Sequence, residues 1–188
     1  MLSAKLAAFP RVVIELGMGD GRLLERLAKS DPLCLHIGVE LDMEQCNSAR
    51  SRLALDNAVV VNRSFEELVP ELADGSVERF VAVLPDPAYI DEEKSNEWKP
   101  LYTLAYQKLK QGGTFQIVTE LTDDLFQPVG DAEFARWKEW LISTFSSLGF
   151  VLSGLREGAP TDYATRCLDQ FRGDRERIRL VTLDLAKQ

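Results

Sequence analysis

The sequence lacks the cysteine patterns that build disulfide frameworks or metal centres. Cys34, Cys46 and Cys167 are odd in number and far apart, with neither a paired scaffold nor a metal-ligand spacing. We therefore predict no metal site, and the default setting for a chain of this kind is the cytoplasm.

Long apolar runs and histidines are also scarce. No run approaches the length needed to cross a bilayer, and Met1–Pro10 has one lysine and no long apolar core, which disfavours a signal peptide. The one histidine, His36, lies inside a predicted strand, so we interpret it as structural. Its placement disfavours a Ser-His-Asp mechanism.

An excess of basic charge is missing too, because the formal net charge is −8. A nucleic acid usually calls for a basic surface. The best local candidate is the segment Arg166–Arg179, and its five arginines are Arg166, Arg172, Arg175, Arg177 and Arg179. Such a segment is equally typical of a solvated loop and strand edge, and both readings stay open.

What the chain does have is a regular alternation of strand and helix patterns. Its 188 residues, 45% hydrophobic and 28% charged, suit one globular domain spanning residues 1–188. The predicted strands are Val12–Glu15, Leu35–Glu40, Val59–Val61, Glu78–Leu84, Thr114–Thr119, Phe150–Leu155 and Ile178–Leu185, and the predicted helices are Leu23–Lys29, Glu44–Leu55, Phe65–Leu72, Trp98–Leu109 and Glu133–Leu148. Lys110–Gly113 is predicted to be a turn. The alternation predicts an α/β fold with a parallel sheet and helices on both faces.

A glycine-rich turn follows the first predicted strand. Glu15 ends that strand, and Gly17, Gly19 and Gly21 come next at alternate positions. Glycine permits positive φ and lets a ligand approach the backbone, although such a turn can also bind nothing. The third glycine of a dinucleotide fingerprint would fall at Arg22, which disfavours NAD. The turn resembles the first motif of class I S-adenosylmethionine-dependent methyltransferases.

A second acidic position supports a ligand site at the same edge of the sheet. Glu40 ends the second strand about 20 residues beyond the turn, where an acid meets a ribose diol in related folds. The strand that follows leads into Asn62, Ser64 and Phe65, which should lie near an adenine. Phe65 either stacks on that base or only caps the core.

The fourth strand leads into Leu84-Pro85-Asp86-Pro87. Flanking prolines stiffen Asp86, which would lie on the acceptor side of the cleft and could accept hydrogen bonds from a nucleobase. The plainer alternative is a proline-rich turn with a capping aspartate.

Together these segments resemble the bacterial tRNA (guanine-N7-)-methyltransferases. The resemblance rests on the glycine turn, Gly38-Val39-Glu40, Asp74–Arg79, Leu84–Pro87, Gly112-Gly113 and Thr161-Asp162-Tyr163 with Arg166. It implies a Rossmann-like class I methyltransferase fold of seven strands, mostly parallel, with the last strand antiparallel between the fifth and sixth.

The resemblance also implies roles for particular residues. S-adenosylmethionine would be held by the residues Glu15, Gly17, Gly19, Gly21 and Glu40. Asp86 would hold the guanine edge, with Thr161 and Tyr163 helping to form the target pocket. The acceptor would be tRNA, contacted by Arg166, Arg172 and Arg175.

Three positions depart from the family pattern. Ala164 stands for a glutamate, the acidic Asp91-Glu92-Glu93 for a basic stretch, and Thr119-Glu120 for a Thr-Asp pair after strand five. Other acceptors therefore stay open: a 16S ribosomal RNA adenine, with Trp98 as the aromatic residue for the flipped base, or a small molecule. A degenerate relative without catalysis is the non-enzymatic alternative.

Overall fold

The computed structural model describes residues 5–6, 8–123 and 127–188, so part of the Met1–Pro10 segment lies outside the described residues. Its strands are β1 Arg11–Leu16, β2 Cys34–Glu40, β3 Ala58–Asn62, β4 Val77–Val83, β5 Leu109–Thr122, β6 Val151–Glu157 and β7 Ile178–Ala186. Its helices are α1 Arg22–Ser30, α2 Met43–Arg52, α3 Phe65–Glu71, α4 Ser95–Lys108, α5 Asp131–Ser147 and α6 Arg166–Phe171. The alternation read from the sequence is confirmed.

The strands form one seven-stranded sheet in the order β3-β2-β1-β4-β5-β7-β6. Strands β1 to β5 pair in parallel, and β7 runs antiparallel between β5 and β6. This confirms the predicted class I methyltransferase topology, including the inserted last strand. The order reverses between β1 and β4, and ligands bind at such switch points beside the carboxyl ends of the strands.

The central parallel strands β1 and β2 are buried on both faces because helices cover the sheet on each side, whereas the edge strand β6 is largely exposed. The larger cluster packs the aromatic faces of α4 and α5 on Phe80 and Phe115. A smaller cluster, on the other face, joins Leu23 of α1 to Val81 and to Tyr163 of the β6–β7 connection. The β6–β7 connection therefore packs on the same face of the sheet as α1.

Two sequence expectations about elements were wrong. Lys110–Gly113 is not a separate turn but the irregular start of β5, where the pairing with β4 shifts between Val77 and Arg79. At its other end β5 extends to Thr122, so Thr119-Glu120 lies within the strand and not after it. The helix α6 was not predicted; it is only six residues long and is capped by Thr165, whose hydroxyl accepts from the Leu168 N–H at 3.2 Å.

No helix in the described ranges is both long and apolar enough to cross a membrane.

Candidate active site

Glu15 lies at the carboxyl end of β1 and is almost fully buried, with 1% of its surface exposed. Its Oε2 has no hydrogen-bond partner among the described residues. Burial raises the pKa of this carboxyl well above its usual value, and the nearby charges of Asp20 and Glu40 raise it further. A buried acceptor without a partner is costly unless a donor or cation reaches it, so the site suits a ligand ammonium group.

The glycine turn follows Glu15 directly in the chain. Gly17, Gly19 and Gly21 have φ values of 70°, 54° and 72°, a region that favours glycine. A Cβ added at Gly17 would meet nothing within 4 Å, while one at Gly21 would lie 2.9 Å from the Ala49 Cβ. Gly17 thus leaves the backbone open to a ligand, whereas Gly21 allows α1 to pack closely on α2.

Glu40 is already oriented by the turn and by its own loop. Its Oε2 accepts from the Gly19 N–H at 2.9 Å, and its Oε1 accepts from the Asp42 N–H at 2.9 Å. The side chains of Leu41 and Met43 beside it are 72% and 54% exposed. Sequence reasoning missed these two residues, although an apolar-Asp-apolar run after a strand-end acid could have indicated an apolar wall for a flat ring.

The residues predicted near an adenine have structural contacts of their own. The Asn62 amide donates to the backbone oxygens of Glu40 and Leu41 at 3.0 and 2.9 Å. Ser64 caps α3 by accepting from the Glu67 N–H at 3.2 Å, and Phe65 packs edge-on against a neighbouring tyrosine ring. They shape the rim of the cleft, and their direct contact with a cofactor stays a prediction.

The acceptor side begins with a strained residue at the end of β4. Leu84 has φ 52°, the only positive φ outside glycine in the described part of the chain, and its N–H donates to the Val118 oxygen at 2.8 Å. Strain of this kind clusters at functional sites. It directs the chain into Asp86, which is exposed and accepts from the Ala88 N–H at 2.8 Å.

Glu120 of β5 is a second carboxyl on this side and was not predicted as a site residue. Its Oε2 is buried and has no hydrogen-bond partner among the described residues. Burial, with a contribution from the charge of Asp86, raises the pKa of this carboxyl to about 7. The available signal was that Glu120 stands at the position of the aspartate in the family's Thr-Asp pair.

Tyr163 does not line an open pocket, which corrects the role predicted for it. Its side chain is 5% exposed, and its hydroxyl donates to Gln116 Oε1 and accepts from Arg79 Nη2 at 2.9 Å. The ring is part of the smaller core cluster, so this residue anchors the β6–β7 connection. Thr161, two residues earlier, is exposed and remains a candidate.

The arginine-rich segment is largely engaged with its own chain. Arg172 was predicted to contact RNA. In the structure its guanidinium donates to the backbone oxygens of Tyr163 and Pro160 at 2.7 and 2.5 Å and so stabilises the β6–β7 connection. Arg177 pairs with Asp174, and Arg179 pairs with Asp131 at 2.9 Å. The exposed arginines for which the described residues provide no partner are Arg166 and Arg175.

Other motifs serve the core. Trp98 is buried, donates from Nε1 to the Asp91 oxygen at 2.8 Å, and packs on aromatic neighbours, so it is not an exposed loop residue. His36 is buried as predicted, and burial lowers its pKa. Asp74 forms an ion pair with Lys108 at 2.7 Å, away from the cleft.

Comparison with protein families gives one match, to the putative methyltransferase family (Methyltransf_4), over residues 10–129. Among curated relatives, a tRNA (guanine-N(7)-)-methyltransferase of Campylobacter fetus subsp. fetus is 25% identical in an alignment that covers 76% of this chain and 38% of that protein. A protein of the same description from Geobacillus sp. is 27% identical over 74% of this chain and 60% of its own length. The corresponding protein of Shewanella piezotolerans is 30% identical over 57% of this chain and 48% of its own length. The chain thus spans only part of the relatives it matches.

Solved structures share the fold. The 16S rRNA methyltransferase KamB superposes with a TM-score of 0.75 at 16% identity, covering 100% of this chain and 92% of that one. A putative S-adenosylmethionine-dependent methyltransferase from Listeria monocytogenes gives a TM-score of 0.70 at 15% identity, with 100% of both chains covered.

Proposed function

This chain belongs to the putative methyltransferase family, and we propose that it binds S-adenosylmethionine and methylates N7 of a guanine in tRNA. The acceptor is suggested by the relatives described as tRNA (guanine-N(7)-)-methyltransferases. The proposed setting is the cytoplasm, where tRNA is modified.

The observation that carries the proposal is the unpartnered buried carboxylate of Glu15 beneath an open glycine turn. Its charge would bind the ammonium of the methionine part, and Glu40 would accept from the ribose hydroxyls once they compete with its present backbone donors. Gly17 and Gly19 would let the ligand lie directly on the backbone. The exposed Leu41 and Met43 would cover an adenine ring.

In the proposed reaction the protein mainly has to orient the acceptor base relative to the methyl group. When bound, S-adenosylmethionine supplies a methyl group on a sulfonium centre that leaves as a neutral thioether. The lone pair of guanine N7 is free at neutral pH, so no general base has to expose it. The chain's task would then be to hold the base in line with the methyl group, and Asp86 would accept a hydrogen bond from a guanine N–H.

The test is transfer of tritium from labelled cofactor to unmodified tRNA, followed by nucleoside analysis. We expect label in N7-methylguanosine. Label in N1-methyladenosine, or in ribosomal RNA alone, would replace the acceptor while leaving the methyltransferase assignment. Protein that binds cofactor by calorimetry but labels neither RNA would refute the RNA assignment.

A small-molecule acceptor is the second candidate, and the surface charge favours it. The net charge is −8, and the acidic stretch Asp91-Glu92-Glu93 follows the acceptor-side turn. Only Arg166 and Arg175 are left exposed in the basic segment without a partner among the described residues. Loss of label from RNA together with label in a metabolite fraction would select this candidate.

A further inference from the structure

We propose that the amino-terminal edge of the sheet holds a second ligand site, which binds a free α-amino acid between the imidazole of His36 and the guanidinium of Arg79. The site lies at the opposite end of the strands from the glycine turn. It does not depend on the cofactor or on the acceptor proposed above.

A cavity of about 320 Å³ opens at this edge of the sheet. Its walls come from the amino-terminal halves of β1, β2, β4 and β5 and from the end of α1. On β1 the cavity is lined by Arg11 and Val13, whereas Glu15 stands near the other end of that strand. Arg11 and Glu15 are separated by about 13 Å of extended chain, so the cavity and the proposed cofactor cleft are different places.

Two polar side chains reach this cavity from opposite sides of β1. Val13 of β1 is registered with His36 of β2 on one side and with Arg79 of β4 on the other, and all three residues line the cavity. The Cα atoms of His36 and Arg79 are thus two strand spacings apart, about 10 Å. One small molecule lying over Val13 can therefore contact both side chains.

The imidazole of His36 provides an acceptor that has no donor. The residue is 3% exposed, and its Nδ1 has no hydrogen-bond partner among the described residues. Its Nε2 lies 3.3 Å from the Asp31 backbone oxygen, so the proton of the neutral ring is assigned to Nε2 and the lone pair to Nδ1. Burial lowers the pKa of this imidazole, which favours the neutral ring. A buried acceptor of this kind calls for an N–H donor.

The His36 end of the cavity also suits a positive group. Helix α1 ends there, and the carbonyl oxygens of a helix's last turn carry partial negative charge. The carboxylate of Asp31 lies at the same end, paired with Arg11 at 2.9 Å. Glu78 of β4 adds a second carboxylate to the lining, 3.4 Å from Lys110 Nζ. An ammonium group is therefore the donor that this end fits.

The Arg79 end suits a carboxylate. Arg79 is half-buried, and its two described hydrogen bonds both leave from Nη2, at 2.9 Å, toward the neutral Gln116 Oε1 and the Tyr163 hydroxyl. Asp184, which accepts from Gln116, is paired with Arg156 at 2.7 Å. Arg79 thus has no carboxylate partner among the described residues, and a guanidinium readily binds one through two N–H groups.

The two ends together select a zwitterion. Acetate or sulfate would satisfy Arg79 only, and an alkylammonium ion would satisfy His36 only. An α-amino acid carries both groups on one carbon. The apolar lining from Val13, Leu27 and Cys34 would contact its side chain.

The first experiment uses His36 as its own reporter. It is the one histidine of the sequence, so its ring nitrogens give a single pair of signals in an imidazole ¹H–¹⁵N NMR spectrum. The common α-amino acids are titrated singly into labelled protein. We expect at least one of them to shift the Nδ1 signal and to leave Nε2 nearly unchanged, because Nε2 stays with the Asp31 oxygen.

The amino acid with the largest shift is then compared with its N-acetyl derivative, which lacks the ammonium, and with its amide, which lacks the carboxylate. We expect each derivative to bind about tenfold more weakly. Failure of every amino acid to move Nδ1 would overturn the proposal. Equal binding of either derivative would overturn it as well, because the site would then recognise one charge and not a zwitterion.

Two variants test the two ends by calorimetry with the same amino acid. Arg79→Lys keeps the charge but loses the fork of N–H groups, and His36→Phe keeps a ring but removes both nitrogens and leaves the contact between Arg79 and Tyr163 in place. We expect affinity to fall about tenfold in each and to stay unchanged in Arg136→Lys, an exposed arginine of α5 on the other face of the sheet. Thermal unfolding verifies that the variants are folded. Parent-like affinity in both folded variants would contradict the proposal.

A last control separates this site from the glycine turn. S-adenosylmethionine itself contains an α-amino acid group, so an amino acid at high concentration would also enter the proposed cofactor cleft. Gly19→Arg fills that cleft and leaves the amino-terminal edge of the strands intact. We expect this variant to show the same Nδ1 shift as the parent, and loss of the shift would place the amino acid at the glycine turn and remove the second site.

Discussion

The two halves of the cleft are built differently. On the proposed cofactor half, the backbone provides most of the polar contacts: three positive-φ glycines follow Glu15, and Glu40 accepts hydrogen bonds from two backbone N–H groups. On the proposed acceptor half, Asp86 and Thr161 are exposed side chains on connections, and Glu120 is partly buried, with its Oε2 atom lacking a hydrogen-bond partner among the described residues. The polar groups of the first half are thus held by backbone hydrogen bonds, whereas those of the second half are not.

This difference separates a shared cofactor from a variable acceptor. A site made of backbone geometry tolerates few substitutions, while a site on loops can change its substrate without disturbing the fold. The acidic stretch at Asp91–Glu93 and the loss of the expected role for Tyr163 both fall on the acceptor half. Substitutions in one half should therefore leave the function proposed for the other half unchanged.

The largest effect is expected on the cofactor half, from Gly19→Arg. The new side chain would project from the turn into the ligand's space, and we expect cofactor binding to be lost in calorimetry. Gly75→Arg is the matched control, because Gly75 also has positive φ and open surroundings but lies in a distant turn. If Gly19→Arg bound cofactor as Gly75→Arg does, the turn would not be the binding site.

The glycine turn and the strand-end acids of the proposed cofactor half could be predicted from the sequence because their signal is local. Three alternate glycines follow an apolar run, and the acids Glu15 and Glu40 stand at successive strand ends. A parallel sheet brings such strand ends to the same edge, so these residues are expected to lie close together. The sheet order followed from the resemblance and from the long separation of β6 and β7.

The acceptor half could not be read in the same way, because tertiary contacts decide it. Whether Tyr163 faces a pocket depends on Arg79 and Gln116, which are distant in sequence. Arg172 belongs to a charge run, and only the fold shows that it binds the backbone of its own connection. The burial of Glu120 likewise depends on elements packed around the end of β5.

The next largest effect concerns stability on the acceptor half. The pKa of Glu120 is about 7 in the folded protein against 4.5 for an ordinary glutamate, so the folded state holds more protons between these values. The free energy of unfolding should fall as pH rises through this window, and Glu120→Gln should be spared that loss. The free energy of unfolding of Glu120→Gln minus that of the parent should therefore be about 3 kcal/mol larger at pH 8 than at pH 4.5. Urea unfolding at several pH values measures this gain, and parallel curves would contradict the burial of an unpaired carboxyl.

A comparable effect is expected on turnover from Asp86→Asn. The amide oxygen can still cap the Ala88 N–H, so the local structure should persist. The lost charge should slow methyl transfer about 10²-fold, some 2.7 kcal/mol, with cofactor affinity nearly unchanged. Full activity in this variant would remove Asp86 from the acceptor site, and a parallel loss of cofactor affinity would erase the distinction between the two halves.

A smaller effect is expected from Glu40 on the cofactor half. Glu40→Ala removes the acceptor for ribose hydroxyls and releases the Gly19 and Asp42 N–H groups, so cofactor affinity should fall by about 1–3 kcal/mol. Glu40→Gln retains one acceptor oxygen and should lose less. Equal losses in the two variants, measured by calorimetry, would show that charge and not backbone support is what Glu40 contributes.

The smallest effect is expected from the arginines that border the acceptor half. Arg175 is exposed and unpaired within the described residues, so Arg175→Ala should weaken tRNA binding only modestly and reduce the salt dependence by about one phosphate contact.

Arg172→Ala should act differently, because Arg172 stabilises the connection through hydrogen bonds to the Tyr163 and Pro160 oxygens. It should lower the unfolding temperature and leave the salt slope unchanged if the connection still closes. Filter binding of tRNA at several salt concentrations, combined with thermal unfolding, distinguishes the two roles. If Arg172→Ala altered the salt slope and Arg175→Ala did not, Arg172 would contact RNA directly. The acceptor half would then have to rearrange when RNA binds, because Arg172 is bonded to its own connection.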